Sequence, residues 1–448
     1  MKGRAIDNDS ATVGIACRLP KANTPDEAWA LVTEGRHAIS KAPKERWATK
    51  MRIAEQKGPR TQPIPEYGGY LDDIAGFDAR FFGTTAREAR LMDPQHRLLL
   101  EGAWEAIEAA GIDPATMKGS RTGVFVGIST SDYLQRQILD ADLITVDAYS
   151  GLGIAQSVAA NRISYFFDFK GPSVASDTAC SSGLVALHLA RRSLANGECD
   201  YAIVGAVNVI VSPLSTISFS KARMLSPDGR CKTFDKSADG YVRSEGCATL
   251  LLTREDLARR KGHRVEALIR GSAINQDGKT LSITTPNGAA QAQVLRDALK
   301  DAGLRPDDLD LIEAHGTGTT VGDEIEIGAL REVFGQTRRA RPLVVGAAKP
   351  HFGHLEAASG LVGAIKAVRE LQTGLVPPLP FLADPVDPDA EGRIVIAESE
   401  TQLGHGPQAL RAGLSSFGFG GTNAHIVLEA PAEQVPRATA ERPPPPVL

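Results

Sequence analysis

Short apolar runs alternate along almost the whole chain with stretches in which apolar residues recur every three or four positions, the pattern of an α/β protein with buried sheets. Runs at 12–16, 123–128, 201–209, 248–252, 309–313, 343–346 and 425–428 predict strands, and helices fall between them. The first helix carries a capping box, Thr24 with Glu27, and Pro25 at the position where a missing N–H is harmless. A second has Asp93 as cap and Pro94 next, runs to Ala110 and stops at Gly111. At 173–190 a short β-like stretch breaks into an amphipathic helix whose first turn holds Cys180. Residues 50–68, rich in Pro, Gly and charge, read as an excursion over the surface.

One internal similarity organises these elements. Residues 182–197 align without a gap on 359–374, half of the positions are identical, and both segments open Ser-Gly-Leu-Val. Two related α/β halves are therefore expected, with their small-residue helices packed closely together. The expected division is a lead at 1–11, an N-terminal half at 12–260 carrying Cys180, a C-terminal half at 261–430 carrying two histidines, and a Pro-rich linker at 431–448. A chain that stops in linker composition is expected to be a piece of a larger polypeptide.

Composition narrows the class. With 448 residues, 42% hydrophobic and 23% charged, the chain can bury a large core. A formal charge of -4 without long basic blocks gives no reason to expect nucleic acid or an anionic membrane as partner. Five cysteines form an odd set with no C-x-x-C spacing, which argues against a disulfide framework and a structural zinc site and favours a reducing compartment. The first ten residues hold no apolar signal core, and no apolar run is of bilayer length, so a cytoplasmic location is expected.

Three positions carry candidate chemistry. Cys180 at a helix start faces free N–H groups and the positive end of the helix dipole, which favour the thiolate that attacks carbonyl carbon. His315, in Glu-Ala-His-Gly-Thr-Gly-Thr, and His354, in Lys-Pro-His-Phe-Gly-His, each follow an apolar run and should emerge near a strand end, where α/β proteins build their sites. Zinc wants three or four ligands in a recognisable set, and His351, His354, Asp323, Glu324 and Glu326 do not make one. The Gly-rich stretch 415–425 lacks the Lys-Ser/Thr of a P-loop. Its glycines, Gly418, Gly420 and Gly421 among them, suit a backbone that approaches a substrate and turns an N–H toward an oxyanion. His96, His188 and His425 read as core polar groups, and Cys17 and Cys247 as packing residues.

Asp-Thr-Ala-Cys-Ser-Ser at 177–182, the His315 and His354 motifs, and Gly-Phe-Gly-Gly-Thr-Asn at 418–423 together resemble the β-ketoacyl synthases. Val-Gly-Ile-Ala-Cys-Arg-Leu-Pro at 13–20, Phe-Asp-Ala-Arg-Phe-Phe at 77–82 and Leu-Met-Asp-Pro-Gln at 91–95 look like the ketosynthase domain of type I modular polyketide synthases, and the likeness spans about 13–431. The resemblance implies the thiolase fold, a duplicated α-β-α-β-α sandwich of five layers. It implies that Cys180 takes an acyl chain from the phosphopantetheine arm of a partner acyl carrier protein, no cofactor being bound covalently to this chain. His315 and His354 would stabilise the enolate left by decarboxylation of a malonyl-type extender, and that enolate would attack the Cys180 thioester. The N–H groups of Cys180 and Phe419 would form the oxyanion hole, Thr317 and Thr319 would line the pantetheine tunnel, and Lys349 would pair with Glu326. A homodimer is expected from the family. No acyltransferase Gly-His-Ser-x-Gly and no carrier attachment motif is present in this sequence, so both partners would come from elsewhere.

One departure stands out. The family usually has Asn where this chain has His351, and an imidazole splits donor and acceptor between opposite ring edges, so hydrogen bonds near His354 could differ and a pH dependence could arise. The competing readings are a non-elongating ketosynthase that only transfers acyl groups between carriers, and a non-catalytic dimer partner, against which Cys180 speaks. Degradative thiolase chemistry is remoter, because thiolases use a second cysteine where this chain has the His315 loop.

Overall fold

The computed structural model describes residues 9–43, 46, 65–140, 148–336, 339, 341–404 and 408–431. The linker at 432–448, the first eight residues and most of the 50–68 excursion lie outside the described residues. The apolar runs form a sheet of eleven strands among those residues: Ser10–Arg18 (β1), Thr122–Ile128 (β2), Ser173–Ser176 (β3), Tyr201–Asn208 (β4), Gly246–Arg254 (β5), Ala267–Gln276 (β6), Leu311–Glu313 (β7), Leu343–Gly346 (β8), Ile394–Ile396 (β9), Arg411–Phe417 (β10) and Thr422–Glu429 (β11). Strand β6 escaped the apolar-run criterion because Arg270, Ser272 and Asn275 interrupt it, and β10 because buried Gly413, Ser415 and Ser416 interrupt its apolar residues.

The connection pattern occurs twice. In the first half β2 lies parallel to β3 and β4, while β5 runs antiparallel to β4 and β1. In the second half β7 lies parallel to β8 and β10, while β11 runs antiparallel to β10 and β6. Both halves thus have the spatial order third, second, fourth, fifth, first, and they meet where Ser10–Thr12 pair with 267–269. Strand β9, parallel to β8, is an addition to the second half.

Helices Pro25–Thr33 (α1), Pro94–Ala109 (α2), Gln156–Phe167 (α3), Ser182–Ala195 (α4), Gly288–Ala302 (α5), Thr320–Phe334 (α6), Lys349–Phe352 (α7) and Ser359–Thr373 (α8) complete the layers. Both predicted caps form: Thr24 accepts the Glu27 N–H at 3.2 Å, and Asp93 accepts the Gln95 N–H at 2.8 Å. Helices α2 and α3 cover the outer face of the first half, α5 and α6 that of the second, and α4 and α8 lie between the two halves. This is the thiolase-like α-β-α-β-α sandwich. Alternation along the strands sorts the core: on β4, Ile203 and Val207 pack toward α2, whereas Ala202, Val204 and Ala206 face the central helices. The second outer layer is filled by Val294, Leu295, Leu330 and Phe334 against Ile312 and Val345.

Small residues permit the central layer. A Cβ on Gly183 would stand 2.9 Å from the Ala357 carbonyl oxygen, and one on its repeat counterpart Gly360 would stand 2.6 Å from Leu184 Cγ. By contrast Gly328, exposed in the middle of α6, would carry a Cβ into open space. Helix propensity favours Ala over Gly by about 0.5–1 kcal/mol at both helical sites, while overpacking costs about 1–3 kcal/mol. Gly328→Ala should therefore raise the unfolding midpoint in denaturant and Gly360→Ala lower it; two shifts of the same sign contradict the packing account.

Candidate active site

After β3 the chain turns through Asp177 and Thr178 into a 3-10 turn, Ala179–Ser181, before α4 begins. Asp177 Oδ1 accepts the Ala179 N–H at 2.8 Å, and Ser182 Oγ accepts the Thr178 N–H at 2.9 Å. Ala179 is left-handed at φ 56°, a conformation that costs a non-glycine residue about 1–2 kcal/mol. That strained turn presents Cys180, half-buried, one turn ahead of the helix proper.

The second half repeats the turn at the same offsets. Glu356–Ala358 is again 3-10, Glu356 is again left-handed at φ 47°, and its N–H donates to His354 Nδ1 at 3.0 Å, with Ser359 Oγ 2.8 Å from the same nitrogen. His354 therefore occupies the slot of Asp177, Ala357 that of Cys180, and the two turns pack against each other. A backbone N–H can only donate, so Nδ1 of His354 is unprotonated and Nε2 carries the hydrogen.

His315 leaves the end of β7 and meets His354 edge to face, ring centroids 5.6 Å apart at 86°. Phe417 lies 5.5 Å from its ring and Tyr241 5.0 Å from that of His354. Lys349 Nζ donates to the His315 carbonyl and stands 3.5 Å from His315 Nδ1, which leaves Nε2 as the hydrogen-bearing nitrogen here too. Burial, reinforced by the Lys349 charge, holds both imidazoles well below their ordinary pKa, so both rings are neutral donors near pH 7.

The turn of the β10–β11 hairpin packs against the Cys180 turn. A Cβ on Gly418 would lie 2.4 Å from the Thr178 carbonyl oxygen, so glycine alone allows that approach. With it comes Phe419, whose backbone N–H, like that of Cys180, lies close enough to the Cys180 sulfur to favour its anion. Gly421, left-handed at φ 89°, closes the turn by donating to the Gly418 carbonyl, and Gly420 faces open space.

Family models for the β-ketoacyl synthase N-terminal domain and C-terminal domain match residues 8–258 and 266–382. The chain belongs to the β-ketoacyl synthase family. It is 45% identical over 436 residues to a phenolphthiocerol/phthiocerol polyketide synthase of Mycobacterium tuberculosis, covering 96% of this chain and 23% of that protein. It is 44% identical over 445 residues to the erythronolide synthase EryA2 of Saccharopolyspora erythraea, covering 98% of this chain and 12% of that protein. The chain thus spans less than a quarter of these relatives. Among solved structures, the ketosynthase from module 6 of the bacillaene synthase of Bacillus subtilis 168 superposes with a TM-score of 0.86 at 36% identity, over 95% of this chain and 72% of that one. The oxazolomycin ketosynthase domain OzmH KS7 of Streptomyces albus JA3453 gives 0.89 at 35% identity, over 95% and 75%. The chain is a ketosynthase of the modular polyketide synthase type.

Three expectations about this ketosynthase are corrected by its geometry. Lys349 makes no direct ion pair with Glu326. Glu326 instead accepts the N–H groups of His315 and Gly316 at 2.7 and 2.8 Å, while Lys349 is spent on the His315 carbonyl. Burial raises Glu326 to about 7 and draws Lys349 below the ordinary lysine value, so the two act on each other only through space. His351 hydrogen-bonds neither the His315 nor the His354 ring. Its Nδ1 donates to the Arg36 carbonyl at 2.9 Å, its backbone carbonyl accepts the Ala38 N–H, and burial lowers the ring to about 3, so it stays neutral over the working range and adds no titration. The third concerns Cys180. Burial and the nearby Glu356 charge outweigh Lys349 and the two N–H groups, and raise the thiol to about 12.

Thr317 and Thr319 hydrogen-bond each other at 2.9 Å, and Thr317 reaches Asp323 at 3.4 Å, beneath the His315 loop. His96, His188 and His425 are buried or half-buried away from the two rings, and among the described residues no group of three His, Cys, Asp or Glu is placed to hold a metal. Sequence reasoning missed Glu356, whose carboxylate is bonded by buried Arg243 at 2.5 and 3.2 Å, and Ser359 and Tyr241, which hold the His354 ring. Extending the internal repeat three residues upstream would have found Glu356 as the partner of Ala179.

A thiol that rests protonated gains reactivity roughly tenfold per pH unit. Alkylation of Cys180 by iodoacetamide, followed by peptide mass spectrometry, should rise log-linearly with pH from about 6 to about 9 without a plateau; a plateau below about pH 8 contradicts the resting thiol.

Proposed function

We propose that this ketosynthase forms carbon–carbon bonds by decarboxylative Claisen condensation in polyketide assembly. Cys180 sulfur attacks the thioester of an acyl chain on a carrier-protein phosphopantetheine arm, the arm's thiol leaves with the proton, and the acyl group stays on Cys180. A malonyl-type extender on a second carrier then loses CO₂, and the electron pair of the broken carbon–carbon bond becomes an enolate whose oxygen accepts from His315 Nε2–H and His354 Nε2–H. The enolate carbon attacks the Cys180 thioester, the N–H groups of Cys180 and Phe419 hold the oxyanion, and collapse expels the cysteine. The observation that carries this reading is the pair of neutral imidazoles, each with Nδ1 engaged and Nε2–H free to donate, set beside the nucleophile turn. Neutral donors suit an enolate, because they stabilise its charge without protonating the carbon that must react.

Thr317, Thr319 and the Gly418–Gly421 turn are assigned to the pantetheine approach. The carrier proteins, and an acyltransferase that loads the extender, are the partners this chemistry requires. A second copy of the chain suits the outer edge of β3, which among the described residues has a sheet neighbour on one side only and exposes Val174, while Tyr165 of the packed helix α3 is 88% exposed. No helix among the described residues is long and apolar enough to cross a membrane, and the five free cysteines support the reading of a reducing, cytoplasmic setting.

Intact mass spectrometry with acyl-loaded and malonyl-loaded carriers tests the chemistry. The wild type should gain the acyl mass and release CO₂ with product, Cys180→Ala should gain no acyl mass, and His315→Ala should keep the acyl adduct while condensation falls by about 10²-fold or more. Acylation without any carbon–carbon bond would move the assignment to transfer alone. In sedimentation the protein should run as a dimer and Ala175→Pro, which removes an N–H from the outer edge while the Val174 N–H faces β2, as a monomer; an unchanged mass for the variant would reject β3 as the interface.

A further inference from the structure

Behind the His315 strand lies a charged cluster that the reaction above does not use. Lys366 of α8, Glu313 at the end of β7 and Glu370, one turn further along α8, have side-chain exposures of 3%, 5% and 0%. Lys366 Nζ donates to Glu313 Oε2 at 2.9 Å and to Glu370 Oε1 at 2.5 Å. The other Glu313 oxygen accepts the Ala348 N–H at 2.7 Å, whereas the other Glu370 oxygen has no partner among the described residues. One ammonium thus serves two carboxylates in a dry interior, where a surplus negative charge is costly.

The connections of Glu313 matter most. It stands two residues before His315 on the same chain, and the amide it holds, Ala348, precedes Lys349, which bonds the His315 carbonyl and opens the α7 turn leading to His354. A single buried carboxylate therefore ties together the two segments that carry the imidazole donors. The other titratable groups facing the cluster are Lys349, whose charge acts on Glu313, and His351, which feels Lys366 and is neutral.

We propose that Glu313 and Lys366 are positioning residues for the His315–His354 donor pair, and that Glu370, by competing with Glu313 for the Lys366 ammonium, sets how firmly that pair is held. The inference rests on the condensation reading and concerns its histidine half alone. Burial raises Glu370 to about 7 against the pull of Lys366, while Glu313 and Glu370 together keep the Lys366 ammonium above its ordinary pKa in spite of burial. Below that pH Glu370 carries a proton and Lys366 is committed to Glu313; above it the ammonium is shared and the donors loosen.

The test measures Cys180 acylation and single-turnover condensation separately across pH, for the wild type and for Glu370→Gln, which is neutral throughout. Wild-type condensation should fall as pH rises through neutrality while acylation does not, and the variant-to-wild-type ratio of condensation rates should grow about threefold or more between about pH 6 and about pH 8.5. A ratio that stays constant overturns the proposal. Wild-type acylation and condensation with parallel pH profiles overturn it without any variant, and Glu370→Met replaces Glu370→Gln if the latter does not fold. A wild type that acylates but never condenses sinks the condensation reading instead.

Discussion

Two turns packed against each other, each bent by a non-glycine residue in a left-handed conformation, are the constraint on which the site depends. Ala179 and Glu356 adopt φ values that a relaxed chain avoids, and each is held there by its own N–H donating to the side chain two residues earlier, Asp177 in one case and His354 in the other. The turns are pressed together because α4 and α8 meet through Gly183 and Gly360, which leave no room for a side chain. Relaxing either turn would move the nucleophile or the histidine, since each lies within two residues of the strained position.

Burial then sets the electrostatics. Withdrawing water penalises every charged form, so the Cys180 thiol and the Glu326 carboxyl are raised and the His315 and His354 imidazoles lowered, and at neutral pH the thiol and both rings are uncharged beside Lys349. A site of this kind gains most when charge develops during reaction, because fixed N–H donors meet an oxyanion without a competing hydration shell. Its nucleophile is not stored as an anion. One N–H of the helix-start turn, that of Cys180, and one of the hairpin, that of Phe419, favour the anion, yet the desolvation of a half-buried sulfur and the negative charge of Glu356 are the larger effects.

Much of this was legible in the sequence. The apolar runs located seven strands, because strands buried on both faces leave continuous signals, and the Ser-Gly-Leu-Val repeat anticipated a duplication that the strand order shows in full. Strands β6 and β10 were illegible for the complementary reason: Ser272, Ser415 and Ser416 become buried only through neighbours that are distant in sequence. The histidine motifs located the two rings that meet at the site, but their tautomers follow from Glu356 and Lys349, which reach them from a turn and from a separate strand end. The expected Lys349–Glu326 pair failed for a similar reason. Opposite charges suggest an ion pair, whereas the folded loop offers Glu326 two backbone N–H groups and Lys349 a carbonyl.

Duplication also explains why the two halves can divide the labour. Each half supplies the same turn with the same slots: a residue whose side chain accepts the N–H of the left-handed position, and, three residues later, a residue at the turn's apex. The first half places Asp177 in the accepting slot and Cys180 at the apex; the second places His354 and Ala357 there. An imidazole that accepts through Nδ1 must expose Nε2–H, so the slot which in one half merely closes the turn becomes, with histidine, an oriented donor. At the second apex Ala357 is fully buried with its carbonyl against Gly183, which leaves no space for a second thiol. The asymmetry of the site, a thiol from one half facing an imidazole donor from the other, is thus written into two side-chain choices on an otherwise repeated scaffold.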